Sequence, residues 1–323
     1  MNKKTVNLVF RIAVLTVCLG LLFHFVDLRS ATAHIAGLSV PCVLLYIVLT
    51  VFRHGLSSMR WMWLNPDPTG QWHVFDYFRY TMIGNTFNLV MPGALGGDLV
   101  RSVYIMKEAE SHRAINLVGM LVDRVVGLFS ILLLGTICGV FAEGLEQKVP
   151  FVLGMGGMFS LALLGAGLSL NRPVNRSLAG ILGRCGKRGA QLVRLLETWT
   201  GATEYYRSNR GRVAMGILLC FVMHLVSFLA VYLIARNLDL PIGFLSLSMI
   251  TAISWLITAV PLSFGGLGVR ELSFVVLLGT QGISAEPATA LSLAQFGIGL
   301  IIAGFGLPFI WMNKRGQPAR RVT

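Results

Sequence analysis

The fold of this chain depends on the stretch Met91-Pro92-Gly93-Ala94-Leu95-Gly96-Gly97-Asp98-Leu99-Val100-Arg101. A second stretch, Pro261-Leu262-Ser263-Phe264-Gly265-Gly266-Leu267-Gly268-Val269-Arg270-Glu271, follows 169 residues later. Both contain Pro, three residues, Gly-Gly, three residues and Arg, and both lie in apolar surroundings. Charged residues are costly in lipid and usually serve a function there, so each stretch is a candidate functional element.

The composition is typical of a membrane protein. Hydrophobic residues make up 55% and charged residues 13% of the 323 residues, whereas soluble domains carry about 25% charged residues. Several apolar runs reach the roughly 20 residues that a helix needs to cross a bilayer. The sequence therefore predicts an all-α polytopic membrane protein with about six to eight transmembrane helices.

The net charge of +13 does not indicate a nucleic-acid partner. The basic residues cluster between the apolar runs, as the positive-inside rule requires, and anionic membrane lipids are the expected partners. The segment 171–212 holds nine basic and two acidic residues. We therefore predict a bacterial inner-membrane protein with this segment and both termini in the cytoplasm.

We interpret the whole chain as one integral membrane domain. Its first half is 1–170, the basic cytoplasmic loop is 171–212, and the second half is 213–323. Nothing in the sequence indicates an oligomeric state. The predicted spans are 6–26, 35–52, 115–141, 149–170, 213–235 and 288–311. The aromatic segment 54–80, with Arg53, Arg60 and Arg79 interleaved, is predicted to lie at the membrane interface.

The charge rule also predicts how the two glycine-rich stretches meet the membrane. The region 81–106 must enter and leave from the cytoplasmic side, as a re-entrant hairpin of two half-helices. The region 243–282 must enter and leave from the outside, either as a second hairpin or as a pair of short spans. Approach from opposite faces predicts an inverted repeat, as in many transporters.

The broken segments and the span after the first of them carry ionisable residues that must be paired or hydrated. Asp98 and Arg101 are three apart and share a helix face. The adjacent residues Asp123 and Arg124 point about 100° apart, so each needs its own partner, and Arg270 and Glu271 pose the same problem. The group forms either a structural ion-pair network or a polar cavity for a charged ligand. Its members are Asp98, Arg101, Asp123, Arg124, Arg270 and Glu271.

A polar cavity would suit a phosphate-containing headgroup. Half-helix N-termini bind anions, and Arg101 and Arg270 offer bidentate donors to phosphate. Asp98 or Glu271 would bind an amine or take up a proton. The amides Asn85 and Asn88 lie on the incoming half-helix. The hinge and loop residues of the two stretches are Pro92, Gly93, Gly96, Gly97, Pro261, Gly265, Gly266 and Gly268.

Enzymatic and metal chemistry find no support in the sequence. The six histidines lack ligand spacing, so we predict no metal site and no cofactor. A phosphate-binding loop is absent, since Ile181 stands where the first glycine before Gly186-Lys187 belongs. No nucleophile with a paired base is apparent. We therefore predict no catalytic residue and no enzyme.

Three segments together resemble one membrane family. They are Asn88–Arg101, the acid–Arg segment around Asp123-Arg124, and Pro261–Glu271. These are similar to signatures of the lysylphosphatidylglycerol synthase transmembrane family, also called the flippase-like domain family. The resemblance implies a lipid-translocating module. Lysylation is not expected, because the chain ends at Thr323 without the soluble aminoacyl-transfer domain of the full synthase.

Three functions follow from these patterns and this resemblance. The leading one is a flippase or scramblase for a phospholipid, aminoacyl-phospholipid, glycolipid or isoprenoid-linked lipid. The second is a non-catalytic scaffold for a lipid-modifying or glycosyltransferase enzyme, with the basic loop as its docking surface. The third is a membrane-embedded transferase acting on a polyprenyl lipid, for which Asp98 is the candidate carboxylate.

Overall fold

A computed structural model describes residues 16, 20, 28–65, 73–90, 96–108, 113–143, 148–169, 171–183, 193, 200, 205–260 and 266–314. The described residues form twelve helices and no strand. In chain order the helices are α1 (Leu28–Ala36), α2 (Val40–Leu64), α3 (Val74–Val90), α4 (Gly96–Glu108), α5 (Arg113–Phe141), α6 (Lys148–Ser169), α7 (Arg172–Gly183), α8 (Arg210–Asn237), α9 (Phe244–Ala259), α10 (Val269–Gly279), α11 (Ala285–Gly304) and α12 (Leu307–Lys314).

Length and composition allow five helical stretches in this part of the chain to cross a membrane. They are Val40–Leu64, Val118–Phe141, Val149–Leu168, Arg210–Asn237 and Ala285–Met312. The outward side chains of α6 are apolar, and those of Leu153 and Leu161 are 68% and 70% exposed. A large apolar surface of this kind is unfavourable in water and favourable against lipid. The predicted all-α polytopic membrane fold is confirmed.

Most of the predicted spans coincide with helices. The spans 115–141, 149–170 and 213–235 correspond to α5, α6 and α8. The last predicted span, 288–311, is divided into α11 and α12 by a turn at Phe305. The predicted span 6–26 lies almost entirely outside the described residues.

The first part of the predicted interfacial segment, 54–64, is wrong, and residues 66–72 of that segment lie outside the described residues. Helix α2 continues without a break to Leu64, and the Trp61 side chain is only 1% exposed. Trp61 packs edge-on against the buried Tyr77, with ring centroids 5.3 Å apart. Arg60, which suggested an interface, is instead buried within the protein and paired with a carboxylate of α5.

The helices repeat in the same order in the two halves of the chain. A shift of 169 residues carries α3 onto α9 to within one residue at each end. The same shift carries α2, α4 and α5 close to α8, α10 and α11. The repeated helices α2 and α8 form the most extensive helix pair in the described part of the chain. The two halves therefore join along α2 and α8, and each half carries one glycine-rich stretch.

Each glycine-rich stretch lies between two helices that pack against each other. α3 contacts α4, and α9 contacts α10. The first pair is very close, because a methyl group added at Gly84 would lie 2.6 Å from the carbonyl oxygen of Gly97. Small residues at such crossings let helix backbones approach each other in membranes. The linking residues 91–95 and 261–265 lie outside the described residues.

Candidate functional site

A cavity of about 570 Å³ opens among α2, α3, α4, α5, α8 and α9. Four guanidinium groups and two carboxylates line it, so these groups carry a net charge of +2. Four of these six residues were predicted from the sequence as site residues, and the two arginines of α2 were not. The six residues are Arg53, Arg60, Asp98, Arg101, Asp123 and Arg124.

Asp123 is the central carboxylate of this cavity and is only 1% exposed. Arg60 of α2 approaches it with two nitrogens, each 2.8 Å from a carboxylate oxygen. Arg101 of α4 donates from Nη2 to Oδ2 of the same carboxylate at 3.0 Å. One buried carboxylate is therefore shared by two buried guanidinium groups, compensates their charge only in part, and joins three helices.

Asp98 extends this network along the cavity wall. Its Oδ1 lies 3.0 Å from Nε of Arg101, which is the predicted pairing on one helix face. Its Oδ2 pairs with Nη2 of Arg124. Asp123 and Arg124 thus have separate partners, as their adjacent positions require. Arg101 also lies over the Trp61 ring, with Cζ 4.3 Å from the ring centroid.

The polar residues of the incoming half-helix also face this cavity. Asn85 and Asn88 line it, and Oδ1 of Asn88 accepts a hydrogen bond of 2.7 Å from the N–H of Gly97. Gly96 and Gly97 are both buried at the start of α4. One N-terminal donor of α4 is therefore already bound by the protein, so this helix end is less open to an external anion than the sequence predicts.

The second stretch needs glycine for its backbone conformation. Gly266 and Gly268 have φ angles of 77° and 78°, in the left-handed region that side chains disfavour. α10 begins directly after Gly268, whose N–H donates to Oε2 of Glu271 at 2.7 Å. Glu271 thus binds the N-terminus of its own helix, where an external anion was expected.

Arg270 and Glu271 pair with each other, which corrects the prediction that each needs a separate partner. Nη2 and Nε of Arg270 donate to Oε1 of Glu271 at 2.5 and 3.1 Å. The Ser292 hydroxyl of α11 also donates to Oε1, at 3.1 Å. The side chains of these two adjacent residues can contact each other because the long Arg270 side chain reaches the N-terminal end of α10, which Glu271 caps.

Arg270 lines a second, smaller cavity of about 300 Å³. The two cavities are neighbours that share part of their lining, namely Arg53, Met223, His224 and Trp255. Glu271 lies behind Arg270 and belongs to the lining of neither cavity. The two stretches therefore serve two adjacent cavities. The remaining polar groups of the smaller one are those of Tyr46, Thr50, Ser227 and Gln295.

Arg53 differs from the other arginines of the larger cavity. Its Nη2 donates to Nε2 of His54 at 3.0 Å, and no carboxylate among the described residues pairs with it. It lies in the wall that the two cavities share. Arg53 is thus the uncompensated guanidinium of the described lining.

Sequence reasoning missed Arg53 and Arg60 because it assigned them to the interface. A signal was present, since α2 carries polar side chains at alternating intervals of four and three residues. A helix brings such positions to one face. We call this face the polar stripe of α2; it consists of Tyr46, Thr50, Arg53, Ser57 and Arg60, and all five line one or both cavities.

The eight predicted hinge residues are divided between described and undescribed parts of the chain. Pro92, Gly93, Pro261 and Gly265 lie outside the described residues. Gly96 and Gly97 are the first two residues of α4, and Gly266 and Gly268 lie in the turn that precedes α10.

The apolar helices and the charged interior define a class: polytopic membrane proteins with a polar cavity between their helices. Residues 8–306 match the family described as Lysylphosphatidylglycerol synthase TM region, and the chain belongs to that family. Membership associates this membrane domain with lipid modification or lipid flipping. Searches among curated proteins and among solved structures found no significant match.

Proposed function

We propose that this protein is a flippase or scramblase that moves a phosphate-containing lipid across the membrane without catalysing a chemical reaction. The observation that carries this proposal is the cationic cavity enclosed by apolar helices. Family membership also supports this proposal, because it associates the domain with lipid modification or flipping. The headgroup would pass through the cavity while the acyl chains remain in the bilayer.

The charge arrangement assigns different roles to the arginines. Arg101 and Arg270 are each held by carboxylates, so they shape the field of the cavities. Arg53 has no carboxylate partner in the described part and lies where the cavities adjoin. A guanidinium binds phosphate through two parallel hydrogen bonds, and such a pair is strong where water is scarce. Arg53 is therefore the first contact for phosphate in this proposal.

Replacing Arg53 with glutamine should slow lipid transport about tenfold, because losing roughly 1.4 kcal/mol of binding corresponds to a factor of ten. The measurement is the initial rate at which a fluorescent phospholipid becomes accessible to a membrane-impermeant quencher in proteoliposomes. Arg236→Gln is the matched control, since Arg236 is exposed at the end of α8 and lines neither cavity. Equal rates for Arg53→Gln and the unchanged protein would refute the role of Arg53.

We further propose how the helices sit in the membrane. The α3–α4 pair would be a re-entrant hairpin approached from the cytoplasm, and α9–α10 would be its inverted counterpart approached from outside. Both termini would be cytoplasmic in a bacterial inner membrane. The repeated helix order supports this arrangement, because inverted repeats place two related halves in opposite orientations.

Single-cysteine labelling tests this topology. In a variant whose five native cysteines are replaced, Ser284→Cys before α11 should react with a membrane-impermeant maleimide added to intact cells. Ser208→Cys before α8 should react only after permeabilisation. Both positions are exposed, so reactivity depends on the side of the membrane. Labelling of both positions in intact cells, or of neither, would contradict the proposed orientation.

A further inference from the structure

We infer that the two cavities select an anionic phosphodiester headgroup whose remaining part is uncharged and bears hydroxyl groups, and that they disfavour a headgroup with a free amine. This inference rests on the proposed lipid-binding function and narrows its substrate class. It follows from two features: the carboxylates are already engaged, and the smaller cavity offers neutral hydrogen-bonding groups.

An ammonium group that leaves water is stabilised most strongly by an anionic partner such as a carboxylate. Both oxygens of Asp98 and both oxygens of Asp123 already contact guanidinium nitrogens. Glu271 is engaged by Gly268, Arg270 and a serine hydroxyl. Within the described lining, an entering amine would therefore meet a net charge of +2 and no free carboxylate.

A phosphodiester group, in contrast to an amine, is favoured by the positive charge of this lining. Its negative charge is attracted by the same net charge, and this attraction is stronger in a protein interior than in water because the effective dielectric constant is lower. Arg53 offers its guanidinium at the shared wall without a competing carboxylate. The phosphate would bind there, next to the opening of the smaller cavity.

The smaller cavity suits the remainder of such a headgroup. Tyr46, Thr50 and Ser227 supply hydroxyl groups, and Gln295 supplies an amide. The Gln295 Nε2 donates to the carbonyl oxygen of Leu291 at 3.2 Å, which leaves its Oε1 as an acceptor for a ligand hydroxyl. No described acidic side chain lines this cavity. Its volume of about 300 Å³ suits a small polyol.

Two lipid sources share this chemistry: a glycerol headgroup, as in phosphatidylglycerol, and a single sugar joined to a lipid through phosphate. Competition binding in detergent distinguishes them. The purified full chain is first loaded with a fluorescent lipid. The concentration needed to displace this lipid is then measured for four competitors: short-chain phosphatidylglycerol, a hexosyl-phosphate lipid, phosphatidylethanolamine and lysylphosphatidylglycerol. The tighter of the first two identifies the source.

The expected result is that at least one hydroxyl-bearing anionic lipid binds about tenfold or more tightly than the two amine-bearing lipids, given the like-charge repulsion described above. Equal or tighter binding of either amine-bearing lipid would overturn the inference. This assay does not depend on transport. If the protein binds these lipids selectively but does not transport them in proteoliposomes, the flippase proposal alone is refuted. If it binds all four lipids equally and transports them at equal rates, only the selectivity is refuted.

A substitution that adds one carboxylate gives a second test. Gln295→Glu keeps the side-chain size and places an acid in the smaller cavity, so the preference for phosphatidylglycerol over lysylphosphatidylglycerol should fall at least about fivefold. Gln281→Glu is the matched control, because Gln281 lies in the turn between α10 and α11 and lines neither cavity. An unchanged preference in a folded Gln295→Glu variant would overturn the assignment of this cavity. Circular dichroism and gel filtration establish that the variant is folded.

Discussion

Asp123→Asn is expected to destabilise the protein by about 3–5 kcal/mol, the range found when one partner of a buried ion pair is removed. Asp123 is 1% exposed and is the carboxylate shared by Arg60 and Arg101. The asparagine would leave two buried guanidinium groups with much less compensation. Because these groups belong to α2 and α4, the loss should loosen the contact of both helices with α5.

Thermal unfolding of the detergent-purified protein, followed by tryptophan fluorescence, measures this effect. Asp239→Asn is the matched control, since Asp239 is exposed and its φ of 54° is one that asparagine accepts. A triple variant, Arg60→Met, Arg101→Met and Asp123→Leu, should recover much of the stability by removing all three charges. Equal unfolding temperatures for Asp123→Asn and the control would mean that the network does not hold these helices together.

Gly97→Ala is expected to have the next largest effect, a loss of about 1–3 kcal/mol from overpacking. The added methyl group would collide with the carbonyl oxygen of Gly84 and come within 2.7 Å of the Asn88 side chain. One neighbour is backbone, which a rotamer change cannot relieve. α3 and α4 would have to separate, and Asp98 and Arg101 would move with α4.

Gly154→Ala is the control for this change, because nothing lies within 4 Å of the methyl group that it adds on the exposed face of α6. Alanine should be neutral or slightly stabilising there. Gly84→Ala strains the same contact as Gly97→Ala, so the double variant should lose less stability than the two single losses combined. Additive losses in thermal unfolding would show that the two glycines do not meet.

The sequence predicted those parts of the fold that depend on local hydrophobicity. α5, α6 and α8 are apolar over 20 residues or more, and such a run has few alternatives to a membrane helix. The repeated motif predicted two related halves because its 169-residue spacing also separates the helices around it. These features are present in the chain without knowledge of distant contacts.

The missed features depend on contacts between distant residues. Arg60 suggested the end of a span, because its partner Asp123 is 63 residues away and unknown at the sequence level. The charges at 98, 101, 123 and 124 were recognised as a group, yet the engagement of both carboxylates by arginines required the helix arrangement. The Arg270–Glu271 pair depends on side-chain conformations at a helix end, which spacing alone does not specify.

For the proposed flippase, the polar stripe of α2 determines how far a headgroup would travel without hydrogen-bonding partners on this helix. The stripe extends over fifteen residues, from Tyr46 to Arg60, and the fourteen steps between its ends correspond to about 21 Å of helix at 1.5 Å per residue. The hydrocarbon core of a bilayer is roughly 30 Å thick. Hydrogen-bonding groups along an upright α2 would thus accompany the headgroup for about two thirds of the crossing. In the proposed flippase, the distance that remains without these groups would be less than two helical turns.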